Sequence, residues 1–295
     1  MAERIYNELF DQQHALRKHT CVGLDTNDEV VQQMVEGGLE LEGDTPGELV
    51  VAYNTMVLEE TADIAGIYKP NLQFYLGLGY EAITTLKQTF QKAHSIAPEV
   101  PIVLDAKFQD IDSTNNGSMK LLKFLEADGA TLHVYLGSQA SSPFLDVKNM
   151  GFFALDRTSN PGAGEFQDLW VATNQGEPAT KKLYEVAAEI IHEKWNRNGN
   201  CGLVAGATYP DEAGIIRNIV GSDLMVLFPG VGTQGGTAPE IVLQALRRGQ
   251  KGVVNASRST IFAARLEGET QRQAIRRAAF KLHDEIFDTQ EQLAA

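Results

Sequence analysis

The chain has 295 residues, 43% of them hydrophobic and 22% charged, the composition of a globular protein with a sizeable core. Its formal net charge of −14 repels polyanions, which argues against general nucleic-acid binding, although a local pocket can still take a small anion. Cys21 and Cys201 lie in apolar runs without a CxxC partner, MAERIYNELF has no apolar leader region, and no stretch nears the ~18 apolar residues of a membrane span; buried free thiols and a cytoplasmic protein without a membrane anchor are expected.

Along the chain, short apolar runs predict strands at residues 20–25, 65–69, 102–107, 131–136, 152–158, 202–208, 224–229 and 252–256. Between most of them, apolar periodicity predicts helices at 47–62, 80–94, 113–127, 181–196, 210–220 and 239–248. Near-continuously apolar strands alternating with helices are the pattern of a parallel sheet covered on both faces. Eight such units favour a single-domain (β/α)8 TIM barrel over an open doubly wound sheet. No linker divides residues 1–295, so one α/β domain is expected. Two segments stand apart: an acidic stretch near 27–47, read as a solvated insertion, and a Gly-, Ser-, Asn- and Pro-rich loop near 159–180, read as a lid that closes over substrate. Residues 267–295 read as a charged amphipathic helix closing the outer layer.

Polar residues gather where the predicted strands end: Asp25, Lys69, Asp105 and Lys107, Ser159 and Asn160, Gln234, and Arg258. In an α/β barrel that rim is where active sites are built. In IVLDAKFQDI, Asp105 and Lys107 are two apart and share a face of a strand. A carboxylate and an ammonium after a buried IVL are costly unless paired. Asp110 lies just beyond, and Lys69 ends the neighbouring strand, so an alternating chain of Lys69, Asp105, Lys107 and Asp110 is expected. A salt-bridge network that only holds the rim is the alternative. A rigid array of four charges can stabilise a developing carbanion and deliver a proton to it.

Across the rim, LFPGVGTQGG follows the seventh strand and opens a helix with Thr237 as N-cap and Pro239 in the first turn. Its backbone and Arg258, at the end of the eighth strand, suit a phosphate. The segment is neither a Walker A loop nor GxGxxG. Ser159 and Asn160, at the base of the lid, can hydrogen-bond the amide edge of a heterocycle.

The segments GLDTN, YKPNLQFY, DAKFQDIDST, RTSNPGAG, AGATYP, FPGVGTQGG and NASRS follow one another between about residues 20 and 262. In that order they resemble the orotidine 5′-phosphate decarboxylase family, most closely its longer bacterial branch. The resemblance implies decarboxylation of orotidine 5′-phosphate to UMP, the last step of de novo pyrimidine synthesis, without metal or organic cofactor, on a homodimer with shared active sites. It implies that Lys107 protonates C6 of the pyrimidine and that Asp105 faces the departing carboxylate. Lys69 and Asp110 complete the array, with Asp110 reaching the partner subunit's site. It assigns Thr114 to the partner's ribose, Asp25 to a ribose hydroxyl, and Ser159 to the pyrimidine. Gln234 and Arg258 grip the phosphate, with Gly235 beside them in the glycine-rich loop.

Three features depart from the branch pattern. Phe108 and Gln109 replace an Arg-Gly pair, His133–Val134–Tyr135 stands where Asn-Pro-Tyr is common, and Asp112 adds a carboxylate beside Asp110. His133 is expected to be a rim hydrogen-bonder rather than a catalytic base. Two rivals remain at this stage: a Mg²⁺-dependent barrel enzyme acting on a sugar phosphate, and an inactive nucleotide-binding protein that kept the fold.

Overall fold

A computed structural model describes residues 3–295. Eight parallel strands form the central sheet: β1 (Thr20–Gly23), β2 (Ala65–Lys69), β3 (Val103–Phe108), β4 (Gly129–Leu132), β5 (Gly151–Leu155), β6 (Cys201–Val204), β7 (Val226–Pro229) and β8 (Gly252–Ala256). They pair in the order β2-β1-β8-β7-β6-β5-β4-β3. Parallel bridges from Tyr68 to Ile102 and from Asn71 to Asp105 bring β2 against β3, so the sheet curls into a nearly closed barrel. The second bridge is carried by Asp105 N–H, which donates to Pro70 O at 2.8 Å. That contact sets Lys69 beside Asp105.

The strands are apolar because most have no wet face. Every residue of β1, β2, β4, β5, β6 and β8 is buried. Only β3 and β7 lose burial, at their C-terminal ends on the rim. Inside the barrel, Cys21, Ile67, Val103, Phe153, Leu155, Val204, Leu227 and Val253 form one cluster with Tyr6 and Phe10. The last two belong to a helix, Tyr6–Ala15, that the sequence reading did not anticipate. Tyr6 N–H donates to Asn149 O, just ahead of β5, so this helix packs at the N-terminal end of the barrel. Both cysteines are buried and free, as expected.

Several predicted strands ran too far toward the rim. The run 131–136 is strand only from Gly129 to Leu132, and 202–208 only from Cys201 to Val204. Ala205 and Ala207 stay buried after ladder pairing ends, so apolar character outlasts the strand. The acidic stretch is not a plain insertion. Asn27 caps a helix, Asp28–Glu36, that buries Val31, and Leu39 and Leu41 pack on the core. The helix Pro46–Thr61 opens on a capping box of Thr45 and Glu48, which explains part of the acid there. The predicted helix at 181–196 begins only at Leu183, because Lys181–Lys182 pairs antiparallel with Trp170–Val171.

Candidate active site

A cavity of about 620 Å³ opens at the C-terminal rim, and Asp25, Lys69, Asp105, Lys107, Ser159 and Arg258 are among its lining residues. At its floor, Asp105 accepts from Lys69 Nζ at 3.0 Å through Oδ2 and from Lys107 Nζ at 2.7 Å through Oδ1. Lys69 Nζ also lies 3.9 Å from Asp25 Oδ1. The alternating chain is therefore Asp25–Lys69–Asp105–Lys107.

Within one subunit, Asp25 and not Asp110 is the fourth member of the array. Asp110 is exposed and outside the cavity wall, and its carboxylate accepts from Ile111 N–H at 2.7 Å. The chain turns outward after Phe108, whose ring stacks on Phe144 at 5.8 Å, and Gln109 is exposed. Thr114 is likewise exposed, on the helix Asp112–Leu125 that Asp112 begins. Neither Asp110 nor Thr114 reaches this subunit's own cavity.

The electrostatics follow from burial and pairing. Burial opposes ionisation of Asp105, but Lys69 first and Lys107 next hold its carboxyl well below the usual carboxylate range. Lys69 is only 3% exposed, and burial alone pushes its ammonium toward losing a proton more easily. Asp105, then Asp25, hold its ammonium above the ordinary lysine value instead. Lys107 is the outer member, with a side chain 42% exposed toward the cavity. Its backbone φ is 52°, in the left-handed region.

Thr131 is a site residue that the sequence reading missed. Its Oγ1 donates to Asp105 Oδ1 at 2.8 Å and accepts from Lys107 N–H at 2.9 Å. One buried hydroxyl thus fixes both charged residues. Asn71 adds a longer contact, Nδ2 to Asp105 Oδ2 at 3.4 Å. His133 lines the cavity near Lys107; burial first, then the charge of Lys107, push its imidazole below the usual value.

On the far side, Gln234 and Arg258 both line the cavity and are exposed. Gly230, at φ 108°, lets this loop approach the base of the lid: a Cβ there would stand 3.0 Å from Gln234 Oε1 and 3.1 Å from Ser159 Cβ. Thr237 does cap the following helix, accepting from Glu240 N–H at 3.4 Å. The helix start and Gly235 stand outside the cavity wall, however, and the cavity meets the loop at Pro229, Gly230, Val231, Thr233 and Gln234. From the segment 159–180, Asn160, Gly162, Ala163, Phe166 and Gln167 also line the cavity.

Fold and site together define a barrel enzyme that works at its C-terminal rim, with a buried acid–base array facing an arginine and a glycine-rich loop. A family model described as "Orotidine 5′-phosphate decarboxylase / HUMPS family" matches residues 15–273. An orotidine 5′-phosphate decarboxylase of Thermomicrobium roseum is 41% identical over 90% of this chain and 89% of its own. The structure of Leishmania donovani OMP decarboxylase matches with a TM-score of 0.78 and 29% identity, over 97% of this chain and 99% of that one. Leishmania donovani UMP synthase matches with a TM-score of 0.81 and 30% identity, over 97% of this chain; the chain spans 57% of that longer protein. The chain belongs to the orotidine 5′-phosphate decarboxylase family.

Proposed function

We propose that this protein decarboxylates orotidine 5′-phosphate to UMP and CO2, the last step of de novo pyrimidine nucleotide synthesis. The observation that carries this is the Lys69–Asp105–Lys107 array in a cavity that also holds Arg258 and Gln234. Breaking the C6–carboxylate bond releases CO2 and leaves the electron pair at C6 in the ring plane. The Lys107 ammonium stabilises that charge and then gives C6 its proton. Asp105 holds and aims the Lys107 side chain, and Lys69 keeps Asp105 ionised. Asp25, whose Oδ1 is buried without a hydrogen-bond partner, is free to take a ribose hydroxyl. Ser159 and Asn160 read the pyrimidine, and Gln234 and Arg258 hold the phosphate. That remote contact supplies binding energy for seating the lid over the substrate.

The working unit in this proposal is a cytoplasmic homodimer, and the chemistry uses no cofactor. Asp110 and Thr114 are exposed and outside their own cavity wall, Ile111 next to Asp110 is 56% exposed, and Tyr135 at the cavity rim is 83% exposed. An apolar rim of this kind suits cover by a second copy, and Asp110 would then complete the partner's array. Among the described residues, no helix is long and apolar enough to cross a membrane.

The test is loss of orotate absorbance on mixing with orotidine 5′-phosphate, with and without EDTA. Turnover unaffected by EDTA is expected; EDTA-sensitive turnover of a sugar phosphate instead would favour the metal-dependent rival. Mixing inactive Lys107→Ala and Asp110→Ala proteins tests the shared site. Random exchange restores about a quarter of the sites, because half the dimers are mixed and each holds one intact site. No recovery after exchange would confine each site to one subunit.

A further inference from the structure

Two consecutive lid residues, Gln167 and Asp168, tie the lid to the barrel, and both ties converge on the residue before Ser159. Thr158 N–H donates to Gln167 Oε1 at 2.9 Å, and Gln167 Nε2 donates to Thr158 Oγ1 at 3.0 Å. Arg157 donates to the Asp168 carboxylate from Nε at 3.1 Å and from Nη2 at 2.9 Å. Its remaining Nη1 donates to Thr158 O at 2.9 Å. One guanidinium therefore holds the lid and the peptide that leads into Ser159.

The other side of that peptide is fixed by the barrel. Thr208 Oγ1 donates to Ser159 O at 3.1 Å, and Gly206 N–H donates to Arg157 O at 2.6 Å. A Cβ on Gly206 would stand 2.7 Å from Ser159 Cα, so only glycine lets Ser159 sit there. Arg157 is itself 2% exposed, with Cζ 3.8 Å above the Tyr209 ring. Lys182, at the far end of the lid, brings Nζ to 3.6 Å from Asp168 Oδ1. Asp168 thus meets cations from both ends of the segment.

A buried guanidinium without its anion is costly. Lifting the lid takes Asp168 from Arg157 and Gln167 from Thr158 together, which leaves the Thr158–Ser159 peptide held from the barrel side alone. We propose that Arg157 is a positioning residue that makes lid seating and the placement of Ser159 one event, with Asp168 and Gln167 as its counterparts on the lid. The proposal rests on the assignment of Ser159 to the substrate made above. Coupling of this kind is reciprocal: substrate held at Ser159 steadies the lid, and the seated lid steadies Ser159.

A double-mutant cycle on kcat/KM for orotidine 5′-phosphate tests it. Asp168→Asn is expected to lower kcat/KM roughly tenfold or more with Ser159 present, and less than about threefold in a Ser159→Ala background. Gln167→Ala, which removes only neutral bonds, runs the same cycle where Asp168→Asn fails to fold. Losses that multiply in the double variants overturn the coupling and leave the decarboxylase activity untouched. A Ser159→Ala protein with wild-type kcat/KM overturns the contact of Ser159 with substrate, on which the proposal stands.

Discussion

Lys107 donates from Nζ to Asp105 Oδ1 at 2.7 Å while its own backbone sits at φ 52°. The register of β3 against β4 breaks between Leu104 and Phe108, so the array is built on an irregular strand end rather than a straight ladder. A non-glycine residue in the left-handed region costs about 1–2 kcal/mol. The Lys107 N–H bond to Thr131 Oγ1 and the Nζ bond to Asp105 hold it there. Strain held at Lys107 accords with the catalytic role proposed for it.

The strain and the amine are separable by substitution. Lys107→Ala and Lys107→Gly both remove the proton donor, and each is expected to lower kcat by about 10³-fold or more. Glycine accepts the left-handed backbone, so Lys107→Gly is expected to be more stable than Lys107→Ala by about 1 kcal/mol. Urea denaturation of the two variants measures the difference. Near-wild-type kcat in either would remove Lys107 from the chemistry.

Asp105 is a stability device as well as an electrostatic one. Removing one partner of a buried ion pair costs about 3–5 kcal/mol. Asp25 remains 3.9 Å from Lys69, so Asp105→Asn is expected near the lower end of that range. The folded-state pKa of Asp105 is depressed, so its contribution is present above the unfolded value near about 4 and is lost as pH falls through the folded one. The stability gap between wild type and Asp105→Asn should therefore be widest near neutrality and shrink below about pH 4. A gap that stays constant from neutrality to about pH 3 would contradict this account of the pairing.

Much of the site was legible because charge at the end of an apolar strand is expensive, and Lys69, Asp105 and Lys107 stand out in YKPN and VLDAKF for that reason. Asp25 was legible as a rim residue, but its approach to Lys69 depends on β1 pairing with β2, which spacing does not encode. Asp110 looked like a fourth member because it lies three residues after Lys107. That Phe108 anchors on Phe144 and turns the chain outward is tertiary information. Thr131 sits in the apolar run GATL, where a threonine reads as β-branched filling rather than as a hydrogen-bonding bridge. The helix Tyr6–Ala15 shows little apolar periodicity, since it buries only Tyr6, Phe10 and Gln13.

The proposed phosphate contact can be tested apart from the chemistry. Arg258 lines the cavity at the end of β8, across from the charged floor. Hydrogen bonds to charged groups are worth about 1.5–3 kcal/mol, so Arg258→Ala is expected to weaken UMP binding by roughly 10- to 100-fold. Uridine, which lacks the phosphate, should bind both proteins alike. Calorimetric titration of the two ligands decides it: equal weakening of uridine and UMP would place Arg258 outside the phosphate subsite.

Asp156 carries the last prediction, and it was not singled out in the sequence. It follows β5 directly, is 3% exposed, and both carboxyl oxygens are buried without a hydrogen-bond partner. The adjacent guanidinium of Arg157 is already spent on Asp168 and Thr158. Burial therefore pushes the Asp156 carboxyl well above its usual range, against the weaker pull of Arg157. A carboxyl with a raised folded pKa destabilises the fold progressively as pH climbs above the unfolded value near about 4. Asp156→Asn keeps the shape and removes the ionisation. It should be more stable than wild type near neutrality by up to about 4 kcal/mol, the linkage cost of an acid that stays protonated in the fold but ionises above about pH 4 in the unfolded chain, and the advantage should fade toward about pH 4. Thermal melts of both proteins across that range measure the effect. An advantage that does not change with pH would mean that Asp156 titrates alike in the folded and unfolded chain, and a loss of stability would mean that its carboxylate has a partner.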